Sequence, residues 1–287
     1  MEQQSEMEGA NDIVMVQSFF LFFNFFFLKK KIFFFYLVES SSDNCSDHGD
    51  CDSEYDCDVL IKQDDFAEFF TVPRVVPYVM RLGLTADLSV DIKHFGGRVD
   101  LGDFSGRSFA LNALDTRKPK LLGLSPPCTL YSKLYQLWNA KKVPAYKLHC
   151  MQSEADALLD LGMLCANVQV KGNRKFFFEH PTYASSWKRA SVTEVADLIG
   201  VKKVHFDQCA LGLKAPDGRP MKKRTTLMTN SIEIVNRFSD KQCSCSKKHC
   251  RIQGSQHGLL LSAYAAHYPP EMCSLLADAA LEISSHA

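Results

Sequence analysis

The chain carries no net charge, because 33 Lys and Arg balance 33 Asp and Glu over 287 residues. Taken as an average, that zero excludes a uniformly basic nucleic-acid binder and an acidic tail-type protein. Nor is there the run of about 20 unbroken apolar residues that a membrane helix needs, since Lys29-Lys30-Lys31 cuts the longest apolar stretch. A disulfide framework is excluded as well. The eleven cysteines are odd in number and several lie in apolar segments, as reduced thiols do in an intracellular protein, nuclear or cytoplasmic. Glycine is missing from one telling place, the segment Phe69-Phe70-Thr71-Val72-Pro73-Arg74, although close backbone approach to a ligand usually calls for it. What the chain does have is 46% hydrophobic residues. That suffices for a sizeable core and excludes collagen-like and wholly disordered classes.

The zero is a cancellation. Residues 1–65 hold 14 acidic and 4 basic side chains, leaving 19 acidic and 29 basic for residues 66–287. An acidic leader of net −10 is thus joined to a basic domain of net +10. Within the leader, Phe19 to Tyr36 contains ten of the 21 Phe residues. A secretory leader would place positive charge before its apolar stretch, whereas Glu2, Glu6, Glu8 and Asp12 come first, so no membrane or export role is expected. A stretch made almost only of Phe and Lys reads instead as translated T-rich and A-rich nucleotide runs, a gene-model artefact. Residues 39–65 follow as a Ser/Asp-rich linker that cannot repay its ordering entropy. The thiols of Cys45, Cys51 and Cys57 recur there without a paired-Cys signature, as expected of a disordered acidic tract.

Beyond Asp65, short β-rich apolar runs alternate with helical patterns, which predicts an α/β layer fold with a mainly parallel sheet. Leu84–Ile92 reads as a strand containing an acid, Asp91, near its end. Lys120–Leu124 reads as a short buried strand that stops at Ser125-Pro126-Pro127-Cys128, because two prolines cannot continue a ladder. A helix over Ser153–Val170 is closed by Gly172, and Lys175–Phe178 forms the next strand, leading into Glu179-His180-Pro181. Ser191 to Glu194 has the form of a capping box. Strands follow over Val201–Phe206 and Thr225–Thr229, then a helix that starts at Pro269-Pro270. The expected organisation is an α/β domain over 66–240, a Cys/His-rich basic loop over 241–258, and a C-terminal helix within 259–287 that packs back on the domain.

Ligands bind at the carboxyl edge of open α/β sheets, and two reactive groups fall there. A free Cys more often serves as a small buried apolar group. Cys128, however, lies in a rigid Pro-Pro turn, and a thiolate is the strongest common side-chain nucleophile near neutral pH. Glu179 follows Phe176-Phe177-Phe178, a desolvating run that suits a carboxyl group to hold a proton for a ring nitrogen. Together they read as a nucleophile and acid set.

These residues resemble the DNA cytosine-5 methyltransferases. Ser125-Pro126-Pro127-Cys128-Thr129-Leu130-Tyr131-Ser132 looks like the family's catalytic loop, and Phe178-Glu179-His180-Pro181 is similar to its Glu-Asn-Val segment. Pro220-Met221-Lys222-Lys223-Arg224 is similar to its basic motif. A divergent subgroup of retrotransposon-type polyproteins is closer, sharing Ser-Pro-Pro-Cys-Thr, Glu-His-Pro, Asp207-Gln208-Cys209 and Met228-Thr229-Asn230. The resemblance runs from about Phe70 to about Cys273. It implies a Rossmann-like methyltransferase sheet with helices on both faces and a small basic target-facing region near the C-terminus. It further implies a monomer that takes S-adenosylmethionine and cytosine-containing DNA, with Cys128, Glu179 and Arg224 catalytic. Asp91, Asp103, Pro126 and Pro127 would lie on the cofactor, with Asp100 an equally spaced alternative to Asp103. The glycine-free segment departs from the family's Gly-rich turn. Two rivals follow: a retroelement-derived domain that binds nucleic acid without cofactor, and an amino-group methyltransferase, which would carry an aromatic at the position of Cys128. A basic face suits RNA as well as DNA.

Near the C-terminus, Cys243, Cys245, His249, Cys250 and His257 bring three thiols and two imidazoles into 15 residues. Thiolate with imidazole suits tetrahedral zinc, and Cys243, Cys245, His249 and Cys250 form the expected ligand set. Their neighbours Lys241, Lys247, Lys248 and Arg251 favour a phosphate backbone.

Overall fold

A computed structural model describes residues 63–91 and 99–286. The Phe-rich run and the acidic tract with Cys45, Cys51 and Cys57 lie outside the described residues. Two residues placed in the leader, Asp64 and Asp65, join the α/β domain. Asp64 exchanges backbone hydrogen bonds with Arg117 and Lys120, and the Asp65 carboxylate accepts from the Thr85 N–H at 2.8 Å and pairs with Lys120 at 3.1 Å.

Six strands form one sheet: β1 (Phe66–Phe69), β2 (Leu88–Val90), β3 (Leu121–Leu124), β4 (Lys175–Pro181), β5 (Lys202–Asp207) and β6 (Arg224–Thr229). Their order is β2-β1-β3-β4-β6-β5. The first four run parallel, while β6 lies antiparallel to both β4 and β5. The sheet is therefore mixed: five strands point the same way, as expected of a mainly parallel sheet, and β6 alone runs against them between β4 and β5.

The helices are α1 (Val76–Arg81), α2 (Phe104–Arg117), α3 (Lys133–Trp138), α4 (Ala145–Lys171), α5 (Ala190–Ala196), α6 (Ile232–Phe238), α7 (Leu261–Tyr264) and α8 (Pro270–Ser285). Period-2 alternation along the strands divides their side chains between two cores. Ala67, Phe69, Leu122, Leu124, Phe176 and Phe178 pack with residues of α2, α4 and α5. Phe66, Leu121 and Phe177 face the other way, onto α1, α6 and α8. Helices thus cover both faces, and the sheet's edges and loop ends are what remain for chemistry.

Several local expectations change. Helix α4 starts at Ala145 rather than Ser153, because its first turns are mostly exposed and carry no apolar stripe, and Pro144 precedes them. The Ser191–Glu194 capping box does not form: α5 starts after Arg189, and the Ser191 hydroxyl donates to Asp160 instead. Strand β4 continues through Glu179-His180-Pro181, which pair with Leu227, Thr226 and Thr225 of β6. Its parallel partner β3 reaches only as far as Phe178. Glu179 therefore stands just past the end of β3, where the chain turns into Ser125-Pro126-Pro127-Cys128.

Gly123 shows how tightly that turn is supported. A Cβ there would lie 2.6 Å from Cζ of the buried Phe177 ring, which stacks on Phe66. Overpacking of this kind costs about 2 kcal/mol. Gly123→Ala should lower the urea midpoint accordingly at unchanged m-value; a variant as stable as the parent would show that the ring has room to move.

Candidate functional site

The strand order reverses between β1 and β3, since β1 connects outward to β2 on one side while β3 lies on the other. Carboxyl ends at such a switch point form a crevice. Here they are Phe70–Val75 after β1 and Ser125–Cys128 after β3. Cys128 is half-buried at the start of a short 3-10 turn, Thr129–Tyr131. Burial, then the neighbouring Glu179 carboxylate, push its thiol above the ordinary value, while Lys223 and Arg74 pull it down. Cys128 and Glu179, the two groups expected to act together, are close enough to feel each other's charge.

The cation beside Glu179 is Lys223, whose Nζ lies 3.7 Å from Oε1. That oxygen is buried yet accepts no hydrogen bond from the described residues, which suits it to meet a donor on a ligand. Arg224, expected in this role, occupies a different place. Its guanidinium holds Asp207 Oδ2 at 3.1 Å and Gln242 Oε1 at 2.9 Å. Successive side chains at the start of β6 point to opposite sides, so only one of the two cations can face Glu179. The sequence marks the basic motif but not which of its members faces inward.

The loop carrying Cys128 is clamped from two directions. His180 is fully buried, and desolvation brings its imidazole down to about 4, so it is neutral at pH 7. Pro126 O, an acceptor only, lies 3.1 Å from Nε2, and Ser186 Oγ lies 2.7 Å from Nδ1. The consistent tautomer has Nε2–H donating to the loop carbonyl and Nδ1 accepting from the serine hydroxyl. Tyr268, just before α8, shares a 2.6 Å hydrogen bond with Ser125 Oγ, and Arg74 lies over the Tyr268 ring at 5.1 Å. Beyond Cys128, the Tyr131 hydroxyl donates to Asp156 of α4 at 2.7 Å. Tyr268 and Arg74 carry no local sequence signal, since both arrive from other parts of the chain.

On the cofactor side the expected residues do not all converge. Asp91 directly follows β2, at the strand end where an acid holds a ribose hydroxyl in dinucleotide folds. Pro126 is buried with its carbonyl engaged by His180, and Pro127 is exposed. Asp103 caps α2 instead, accepting from the Gly106 N–H at 2.6 Å. Asp100 accepts from the Gly102 N–H at 2.7 Å, closing a turn. After β1 the chain makes its turn without glycine: Phe70 takes φ +67°, a conformation costly for a bulky residue. The amides of Arg74, Val75 and Val76 are already taken. Glu68 Oε1 accepts from the N–H groups of Arg74 at 2.6 Å, Val75 at 3.2 Å and Val76 at 3.2 Å, while burial pushes this carboxyl up to about 7. Of the residues expected on the cofactor, only Asp91 stands at a strand end, and the turn after β1 contains no glycine.

A second cluster lies apart from this edge. The ligand atoms of Cys209, Cys243, Cys245 and His249 are all within 4.8 Å of one another, with Cys243 Sγ 3.3 Å from His249 Nε2. The four could hold a metal such as zinc. Cys250, expected as the fourth ligand, instead points into a small apolar cluster with Leu213, Ala215, Met221, Leu261 and Ala265. Its neighbour His249 turns the opposite way because Cys250 bridges to Met221. Cys209 takes its place, from the Asp207-Gln208-Cys209 element, about 34 positions upstream of Cys243 and so out of reach of any spacing rule.

Among the described residues no helix is long and apolar enough to cross a membrane. Compared with known proteins, the chain matches no family model and no curated protein.

Proposed function

We propose that this chain is a DNA cytosine-5 methyltransferase of the divergent, retrotransposon-associated kind it resembles. The observation that carries this reading is the meeting of Cys128, Glu179 and Lys223 at the carboxyl ends of β3 and β4, with a buried Glu179 oxygen left to receive a ligand. A Rossmann-like reading of the sheet draws support from the strand reversal beside β1 and from Asp91 after β2.

The chemistry assigned to these residues is a conjugate addition. The Cys128 thiolate adds to carbon 6 of cytosine while a proton is shared between the Glu179 carboxyl and ring nitrogen 3, so electron density moves to carbon 5. Bound S-adenosylmethionine would supply the electrophilic methyl group. Loss of the carbon 5 proton to water, with return of the ring nitrogen 3 proton to Glu179, then restores the 5,6 double bond and expels the thiolate. The base must leave the helix stack for either ring face to be reached. Net charge of +10 over residues 66–287 suits a phosphate backbone.

One observation favours a second reading, a methyltransferase-fold domain that binds nucleic acid without cofactor. Glu68 occupies the backbone amides of Arg74, Val75 and Val76, and Asp103 is committed to a helix cap. Labelled S-adenosylmethionine and DNA containing 5-fluorocytosine separate the two. The enzyme reading expects a labelled covalent complex that survives denaturation, since fluorine cannot leave as a cation and the adduct is trapped. No adduct, together with no cofactor binding by calorimetry, would sink the enzyme and leave the binding domain.

A further inference from the structure

We propose that Cys209, Cys243, Cys245 and His249 form a closed four-ligand zinc site that fixes the segment carrying Lys223 to the Cys128 edge. This goes beyond the methyltransferase reading and does not depend on it. Three sulfurs and one imidazole are a donor set for zinc, and four protein ligands leave no open position, as in structural rather than catalytic sites. With Zn–S near 2.3 Å and Zn–N near 2.05 Å, a tetrahedral S···N edge is about 3.5 Å. The 3.3 Å between Cys243 Sγ and His249 Nε2 is close to that edge. A Cys243–Cys245 disulfide would leave both Cys209 and His249 without purpose in the cluster.

The surroundings indicate what the metal would hold. Lys241 to His249 forms neither helix nor strand, and the local apolar cluster around Met221 is small. Segments with so little core commonly need a metal or another crosslink. Cys209 lies next to Gln208, whose N–H donates to the Lys223 carbonyl at 3.0 Å. Asp207 Oδ2 accepts both from the Cys243 N–H and from Arg224 Nη1, each at 3.1 Å. The metal loop, Asp207 and the basic stretch Lys222-Lys223-Arg224 are thereby one connected unit, and Lys223 is its member that faces Glu179.

The test uses the full chain. Elemental analysis after purification in zinc is expected to give one ion per chain, and cobalt(II) replacement should give the intense visible bands of tetrahedral coordination with thiolate charge-transfer absorption in the near ultraviolet. Cys209→Ser should lose stoichiometric metal, whereas Cys250→Ser should keep it. Since Cys209→Ser could fail to fold, His249→Cys provides the complement: it should retain the ion and gain charge-transfer intensity from a fourth thiolate. Absence of metal, a Cys209→Ser chain that binds as tightly as the parent, or loss of metal in Cys250→Ser would overturn the site. Chelation should speed hydrogen exchange over residues 209–223 and 241–250 while leaving α4 unchanged; uniform or absent change would overturn the proposed fixing role. None of these readouts involves S-adenosylmethionine or DNA, so failure here and failure of the methyltransferase reading are told apart.

Discussion

Incubated with a single-stranded oligonucleotide tritiated at carbon 5 of cytosine, and with no methyl donor, the chain is expected to release tritium to water. The expectation rests only on the base-facing residues. Once the Cys128 sulfur is bonded to carbon 6, carbon 5 can take a proton from solvent; loss of tritium and expulsion of the thiolate then return cytosine, with no net change except the isotope. Cys128→Ser should abolish release, because an alcohol is far less nucleophilic than a thiol near neutral pH. Glu179→Gln keeps the shape but cannot give a proton to ring nitrogen 3, and should slow release by about 10²- to 10⁴-fold, the usual worth of a positioned acid. Lys223→Met should shift the onset of release to higher pH, since its ammonium is one of the two charges that lower the Cys128 thiol's proton affinity. A Cys128→Ser chain that exchanges as fast as the parent would dispose of the nucleophile assignment. Exchange without methyl transfer would mark a domain that kept its base site and lost its cofactor site, the second reading proposed above.

The two candidate sites also differ in how far sequence reading can reach. Cys128 and Glu179 were legible because each ends a run whose apolar character announces a buried strand, and a proline pair or a change to polar residues fixes where the run stops. The exchange of Arg224 for Lys223 was not legible: which of two adjacent cations faces inward depends on the register of β6 against β4, set by the antiparallel pairing of Glu179 with Leu227. Cys209 in place of Cys250 has the same origin. Ligand spacing describes what a single loop can wrap around an ion, whereas this cluster is closed by the end of β5 meeting a loop from beyond α6. The reversed direction of β6 was missed for a related reason, as β5 and β6 read as strands from their composition while their direction follows from the connecting loop. Asp103 was expected on the cofactor, and the Gly106 N–H three residues on makes it a helix cap instead. Glu68 carried no signal, since a carboxylate inside a strand pattern ordinarily points to solvent.

Acid should loosen the nucleophile loop through His180. Its imidazole is buried among Phe178, Tyr131 and Trp187, and desolvation lowers it from 6.5 to about 4. Between these values the unfolded chain binds a proton that the folded chain refuses, so stability rises with pH across the window. The contribution is fully present above about 6.5 and is lost as pH falls toward 4. At 1.36 kcal/mol per unit it amounts to about 3 kcal/mol. Glu68 works in the opposite sense: its carboxyl is raised from 4.5 to about 7, so its contribution is present below 4.5 and is lost as pH rises through 7. The parent's pH profile is therefore flattened, and the His180 part is isolated by comparison with His180→Gln, whose amide can still donate to Pro126 O but does not titrate. Urea midpoints from pH 4 to 7.5 should converge for the two chains at the acid end and separate toward neutrality; curves that stay parallel would show that His180 does not titrate with folding. Because the same imidazole holds the carbonyl two residues before Cys128, tritium release by the parent should fall with acid more steeply than thiol protonation alone requires, and in His180→Gln that additional loss should disappear.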